Sequence, residues 1–247
     1  MTTAIADRVA FGVVIPSTNT IVEDEYNMMR PPGVSFHAGL IYIKDESLGS
    51  DETFETFLVD LRQELGRAIR DVVTAKPDYL VMGMSAETFW GGAEGNERFE
   101  KWVREESGLA VSTGASACNE ALHRLNAHRI GVITPYQPVG DDQVRTFFTQ
   151  LGFDVAAVKG LKCPTATSIA EVSADEIRNA FLSVDGPDVD ALVQAGTNLA
   201  AVKVAAELEA ELGKPVIAIN AATVWHALRT NGIDDRIDGF GRLLQDF

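Results

Sequence analysis

The 247-residue sequence is short of the residue types that staple, ligate or grip nucleic acid. Two cysteines, Cys118 and Cys163, are too few for a disulfide framework, and four histidines without clustered spacing supply no metal-ligand set, so no metal is expected. Lys and Arg number 21 against 36 Asp and Glu, a net charge of −15. A protein that binds phosphate backbones needs the opposite balance, so no nucleic-acid partner is expected. There is no run of 18 apolar residues, and Met1–Gly12 lacks the cationic start and apolar centre of a leader, which points to a cytoplasmic chain without membrane attachment. No Gly-x-Gly-x-x-Gly or Walker loop follows any apolar run. Gly91-Gly92-Ala93-Glu94-Gly95 has a different spacing, so a nucleotide is not indicated.

What the sequence does contain is a globular composition, 46% hydrophobic and 23% charged, in a length suited to one large unit or two small ones packed together. Short apolar runs alternate with longer amphipathic stretches, the pattern of βα units around a parallel sheet. The runs at Val9–Ile15, Val34–Ile43, Tyr79–Met84, Ala110–Ser112, Arg129–Thr134, Asp154–Lys159, Ala191–Ala195 and Val216–Ile219 predict strands. Helices are predicted over Phe54–Thr74, Gly95–Ser107, Ala115–Asn126, Asp141–Leu151, Ala174–Leu182, Leu199–Leu212 and Ala222–Thr230. Leu212-Gly213-Lys214-Pro215 carries a helix stop, with glycine free to take the left-handed cap and proline barring continuation.

The strands fall into two sets of four that repeat. Phe11-Gly12-Val13-Val14-Ile15-Pro16 matches Ile130-Gly131-Val132-Ile133-Thr134-Pro135 at an offset of 119 residues, Pro77-Asp78-Tyr79-Leu80-Val81 returns near Val189-Asp190-Ala191-Leu192-Val193, and Leu109-Ala110-Val111-Ser112 answers to Pro215-Val216-Ile217-Ala218. A repeat this long reads as a duplicated domain. The expectation is an α/β fold of two pseudo-symmetric Rossmann-like halves with four-stranded parallel sheets, residues 1–115 plus 222–247 forming one half and 116–221 the other. Open α/β sheets bind ligands at the carboxyl ends of their strands. If the halves face each other, the loops Pro16–Thr20, Gly83–Thr88, Thr134–Pro138 and Gly196–Asn198 line one cleft.

These loops resemble those of the aspartate/glutamate racemase superfamily, in its arylmalonate decarboxylase and maleate cis–trans isomerase branch. The resemblance rests on Val14-Ile15-Pro16-Ser17-Thr18-Asn19-Thr20 followed by Glu23, on Leu80-Val81-Met82-Gly83-Met84-Ser85, on Ile133-Thr134-Pro135-Tyr136 and on Ala195-Gly196-Thr197-Asn198-Leu199, with Asn220, Trp225, Leu228 and Arg229 like the closing segment. It implies a homo-oligomeric, cofactor-independent enzyme that clasps a small carboxylate or dicarboxylate and acts by decarboxylation or isomerisation through an enediolate. The resemblance places the family's two thiol positions on Gly83 and Gly196, and glycine can neither donate a proton nor attack carbon. It also implies that Ser85, Tyr136, the Met84 amide and the Thr197 and Asn198 amides cradle the oxyanion, while Asn19, Ser17 and Thr18 hold an acid group.

The residues taken alone leave alternatives open. Tyr136 reads as a cleft hydroxyl or a buried aromatic capping a loop, Ser85 as a cradle donor or a helix N-cap, and Asn19 as a ligand contact or a turn residue. Glu87, beside apolar Met84, Phe89 and Trp90, is a candidate acid or base whose pKa desolvation would raise, or else a first-turn glutamate on a helix dipole. Thr165, Thr167 and Ser168 in the Lys162–Ser168 loop could add donors to a carboxylate or cap the next helix. Cys118 and Cys163 read as small buried side chains with a weaker nucleophile reading. His226 lacks a matching Ser or Asp motif and reads as structural, Glu23-Asp24-Glu25 reads as a solvated face, and Trp90-Gly91-Gly92 as part of an entrance lid. Two rival functions follow: hydrolysis or lysis of a cyclic imide or amide through Ser85 or Glu87, and a carboxylate-binding protein without chemistry.

Overall fold

Apolar runs become strands because both of their faces find cover, and in the computed structural model, which describes residues 4–247, they form two parallel sheets. Residues 1–3, the start of the stretch read as lacking a leader, lie outside the described residues. The first sheet contains β1 (Val9–Pro16), β2 (Val34–Ile41), β3 (Tyr79–Met82) and β4 (Val111–Ser112); the second contains β5 (Arg129–Thr134), β6 (Asp154–Gly160), β7 (Ala191–Gln194) and β8 (Val216–Ala218). Their spatial orders correspond, β2-β1-β3-β4 and β6-β5-β7-β8, with every pairing parallel. The 119-residue offset is a structural equivalence: Phe11 pairs with Tyr79 on β3 and Ile130 with Ala191 on β7.

Alternate residues of the central strands serve two cores. Phe11, Val13, Ile15, Tyr79 and Val81 join the core that continues into the second half, while Val14, Leu80 and Met82 pack on the other face of their sheet against Leu61, Leu65 and Val72. The connecting helices are α1 (Val22–Met28), α2 (Asp51–Val73), α3 (Ala86–Phe89), α4 (Gly92–Ser107) and α5 (Gly114–Arg124), then α6 (Pro138–Gln150), α7 (Ala174–Ser183), α8 (Val202–Leu212), α9 (Ile219–Thr230) and α10 (Arg242–Asp246). All the helices predicted from periodicity form. Several begin a turn earlier because polar and cap residues precede the first apolar one, as where Ser50 caps α2 and Pro138 opens α6. The short helices α1, α3 and α10 escape a pattern search because four to seven residues hold too few turns to show a period.

The halves share one core. Phe89 of α3 lies edge-on to Phe147 of α6 at 5.2 Å and tilted against Phe148 at 5.8 Å, so aromatic packing crosses from one half to the other. At Gly114 a Cβ would fall 2.5 Å from Ile219 Cδ1, and the missing side chain is what lets α5 and α9 touch. Among the described residues no helix is long and apolar enough to cross a membrane.

Local signals also carry measurable stability. Ser173 and Glu176 form a reciprocal capping box at the start of α7, the Ser173 hydroxyl accepting from the Glu176 amide and Glu176 Oε2 accepting from the Ser173 amide at 3.0 Å. Ser173→Ala is expected to cost about 1 kcal/mol. At this chain length that is a fall in Tm of about 2–4 °C by calorimetry; an unchanged Tm would show that water replaces the cap at no cost.

Candidate active site

Parallel strands deliver their loops to one end of a sheet, and here the ends of β1 and β3 meet those of β5 and β7. Beyond β1 the chain turns through Asn19, whose amide donates to Pro16 O at 2.8 Å. Asn19 Oδ1 accepts from the Ile21 and Val22 amides at 3.0 and 3.1 Å, which starts α1, and Nδ2 reaches the second half to donate to Thr197 Oγ1 at 3.1 Å. The turn reading of Asn19 holds, its oxygen closing the turn into α1 while its nitrogen bonds to the other half. Asn198 clasps the same turn, accepting from the Thr20 amide at 3.0 Å and donating to the Thr18 and Ala166 carbonyls.

Ser85 leaves β3 at the mouth of α3 but does not cap it. Its hydroxyl lies 2.6 Å from Tyr136 OH and accepts from the Thr197 amide at 3.0 Å. Both Ser85 and Tyr136 are 5% exposed. Burial pushes the Tyr136 phenol well above its usual range, so it remains neutral. Two neutral hydroxyls in mutual contact use one proton between them and leave one to point elsewhere. The pair is thus a single donor aimed at whatever enters the space beside it. Tyr136 is itself held by packing its ring, tilted, against Phe54 at 5.5 Å and by its amide, which donates to Thr134 Oγ1 at 3.0 Å; Thr134 in turn donates to Asp141, a carboxyl that burial raises to about 6.

That space is a cavity of about 60 Å³. Its polar lining includes Thr18, Asn19, Ser85, Glu87, Tyr136, Thr197 and Asn198, and its large apolar lining residues are Leu48, Phe54, Phe57, Leu61, Met84 and Ile169. Among the described residues no lysine, arginine or histidine lines it. These apolar residues come from α2, the segment before it, the loop after β3 and the turn after Thr167. Phe54, Phe57 and Leu61 recur at helical spacing, and that spacing alone reads as core, which is why the sequence did not mark them as a ligand wall. The segments carrying Leu48 and Ala166 close the front, tied by the Leu48 amide to Pro164 O at 2.6 Å and by Thr167 to Asp45.

Glu87 belongs to this wall. Arg62 Nε donates to its Oε1 at 2.8 Å, while its Oε2 is buried and makes no hydrogen bond. Burial raises its pKa and Arg62, 42% exposed, opposes that only in part.

Several other candidates lie away from the cavity, and of the glycines at the two thiol positions only Gly196 lines it. Ser17 is exposed and its hydroxyl accepts from the Ile43 amide; Thr165 is engaged with Thr167 and Ser168. Neither lines the cavity. Gly83 gives its carbonyl to Thr197 Oγ1 at 3.3 Å, and a Cβ there would meet Ile15 at 2.9 Å; at Gly196 a Cβ would lie 2.4 Å from Pro135 Cδ. Cys118 is fully buried, with its thiol pushed up by desolvation, and Cys163 is raised to about 11; neither lines the cavity. His226 does have a serine: Ser112 Oγ is 2.6 Å from Nδ1, and Glu120 is 3.3 Å from Nε2. Ser112 is 0% exposed, which leaves that trio no access to a substrate. Trp90-Gly91-Gly92 is a pinned turn, with Gly91 N donating to Gln143 at 2.8 Å and Trp90 packed on Phe54, in place of the expected lid. Among the described residues no group of three or more His, Cys, Asp or Glu could hold a metal ion.

The sequence model of the arylmalonate decarboxylase family matches residues 11–244. The chain belongs to that family. Similar proteins within reach of it include the maleate isomerase of Nocardia farcinica, 25% identical over 95% of this chain and 94% of that protein, and the arylmalonate decarboxylase of Bordetella bronchiseptica, 25% identical over 98% of both. Among solved structures, a Nocardia farcinica maleate cis–trans isomerase mutant with a covalently bound succinylcysteine intermediate superposes with a TM-score of 0.87 at 25% identity, over 97% of this chain and 99% of that one. A liganded arylmalonate decarboxylase mutant gives 0.82 at 20% identity over 95% and 97%, a likeness of fold. The α/β fold with two four-stranded parallel sheets is thus what this chain shares with the maleate isomerase and arylmalonate decarboxylase structures.

Proposed function

We propose that the protein is a cofactor-independent decarboxylase of malonates bearing an apolar substituent at carbon 2. The observation that carries this reading is a cavity in which a few hydroxyls and amides stand among large apolar side chains, with no lysine, arginine or histidine among the described residues that line it. One carboxylate of the guest is held by the Ser85–Tyr136 pair and by Asn19. The other is left against Leu48, Phe54, Phe57 and Met84, where a charge loses its hydration and finds no counter-ion. Breaking the bond to that carboxylate releases neutral carbon dioxide and moves the electron pair into the enediolate, whose oxygens stay with the hydroxyls and amides. A proton from the Glu87 carboxyl to the enediolate carbon completes a monocarboxylic acid, and solvent reprotonates Glu87.

The same wall disfavours maleate, because both of its carboxylates persist in fumarate. The Nocardia farcinica relative forms a succinylcysteine, and no cysteine lines this cavity. Ser85, already bonded to Tyr136 and Thr197, has no histidine beside it to make it a nucleophile for an imide or amide.

Incubation with 2-phenylmalonate and with maleate, followed by proton NMR, separates the readings. Phenylacetate and carbon dioxide are expected from the first and no fumarate from the second. Fumarate formation would overturn the assignment in favour of isomerisation. A rise in Tm with 2-phenylmalonate that is never consumed would leave a binding protein.

A further inference from the structure

Glu25 departs from the solvated face expected of Glu23-Asp24-Glu25: it is 6% exposed, whereas Glu23 and Asp24 beside it face solvent. Its Oε1 accepts from the Val202 amide at 3.0 Å at the start of α8, and its Oε2 accepts from Asn220 Nδ2 at 2.6 Å on the first turn of α9. The other hydrogen of that same amide goes to the Thr197 carbonyl at 2.9 Å. Thr197 is the residue whose backbone N–H and hydroxyl touch Ser85 and Asn19. A line of hydrogen bonds therefore runs from α1 of the first half, through Asn220, to the peptide that meets the Ser85–Tyr136 pair.

We infer that Glu25 is a positioning residue that fixes the Asn220 amide and, through it, the Thr197–Asn198 segment against the cradle. The orientation of Asn220 is decided by what it faces. With both amide hydrogens turned to oxygen acceptors, its Oδ1 is left buried without a partner. That cost is tolerated only while Glu25 presents an oxygen that accepts. If the carboxyl carries a proton, Asn220 can turn its oxygen to that hydroxyl, satisfy Oδ1 and release the Thr197 carbonyl. Burial raises the Glu25 pKa to about 7, opposed by Asn220 and by the Val202 and Ala201 amides, so the two arrangements exchange near neutrality. The surroundings leave this titration to Glu25: Tyr26 on the same helix is buried and neutral, Glu23, Asp24 and Lys203 of α8 are exposed, and the first turn of α9 carries no ionisable side chain.

The inference deepens the decarboxylase reading but is tested apart from it. Proton–nitrogen NMR spectra of the full chain between pH 5.5 and 8.5 should show the Asn220 side-chain amide and the Thr197 backbone amide shifting together with a midpoint near 7. In Glu25→Gln both should be flat and close to their acid-side positions, because glutamine places an amide nitrogen toward Asn220. In Asn220→Ala the Thr197 shift should vanish while the Val202 amide still reports Glu25. With 2-phenylmalonate as probe, kcat of Glu25→Gln should fall on the order of 10²-fold with KM nearly unchanged, the penalty of a displaced cradle. A Thr197 amide that is flat in the wild type, or that still titrates in Glu25→Gln, overturns the inference. If 2-phenylmalonate is not turned over by any variant, the decarboxylase reading fails and the resonances still decide the role of Glu25.

Discussion

Tyr136→Phe is expected to lower kcat for 2-phenylmalonate by about 10²–10³-fold, the usual cost of removing one donor from an oxyanion site. The reason is specific to this pair. Tyr136 and Ser85 share a 2.6 Å contact and together release one proton toward the cavity. Without the phenol the serine proton remains, but Ser85 loses the contact that fixes its direction, and the donor is no longer preorganised. Ser85→Ala should cost about as much, and the double variant little more than either alone, because the two act as one unit. Steady-state rates of the three variants check this. Additive losses, or a Tyr136→Phe enzyme within twofold of wild type, would show that the pair is a packing contact. The fold should survive, since the Tyr136 ring keeps its contact with Phe54.

Glu87→Gln is the second substitution with a large expected effect, a loss of about 10²–10⁴-fold in turnover, the range for removing a general acid. Glutamine preserves the shape and can still meet Arg62, so a loss reports the proton. The pH dependence gives the sign. A carboxyl raised by burial is protonated at low pH and ionises as pH rises through its folded value, so wild-type kcat should fall on the alkaline side, and the Gln variant should lack that limb. Stability runs the same way. The contribution of the protonated carboxyl is full below the unfolded pKa, near the ordinary value of 4.5, and is lost as pH rises through the higher folded value. A Gln variant with wild-type kcat, or one retaining the alkaline limb, would assign the proton to water.

Much of the fold was legible because it is periodic. Strands of continuous apolar residues, separated by amphipathic helices, announce a parallel sheet, and the echo of Phe11–Pro16 in Ile130–Pro135 announces its duplication. The loops at the ends of β1, β3, β5 and β7 followed from topology, and Asn19, Ser85, Tyr136 and Thr197 do meet there. Ser17 and Thr165 lie in the named segments without reaching the cavity, since a loop's position does not fix where each of its side chains turns.

The sequence by itself determined the two-sheet architecture, the repeat and the set of loops that face each other, because burial period and turn chemistry act over a few residues at a time. Tertiary structure alone decided that Phe54, Phe57 and Leu61 wall a cavity, that Glu25 is buried among helix ends, and that one of two hydroxyl protons is left over. Each of these depends on partners 51 to 195 residues apart, as Ser85 is from Tyr136 and Glu25 from Asn220, and no local pattern encodes which groups such distant segments will satisfy or leave unsatisfied.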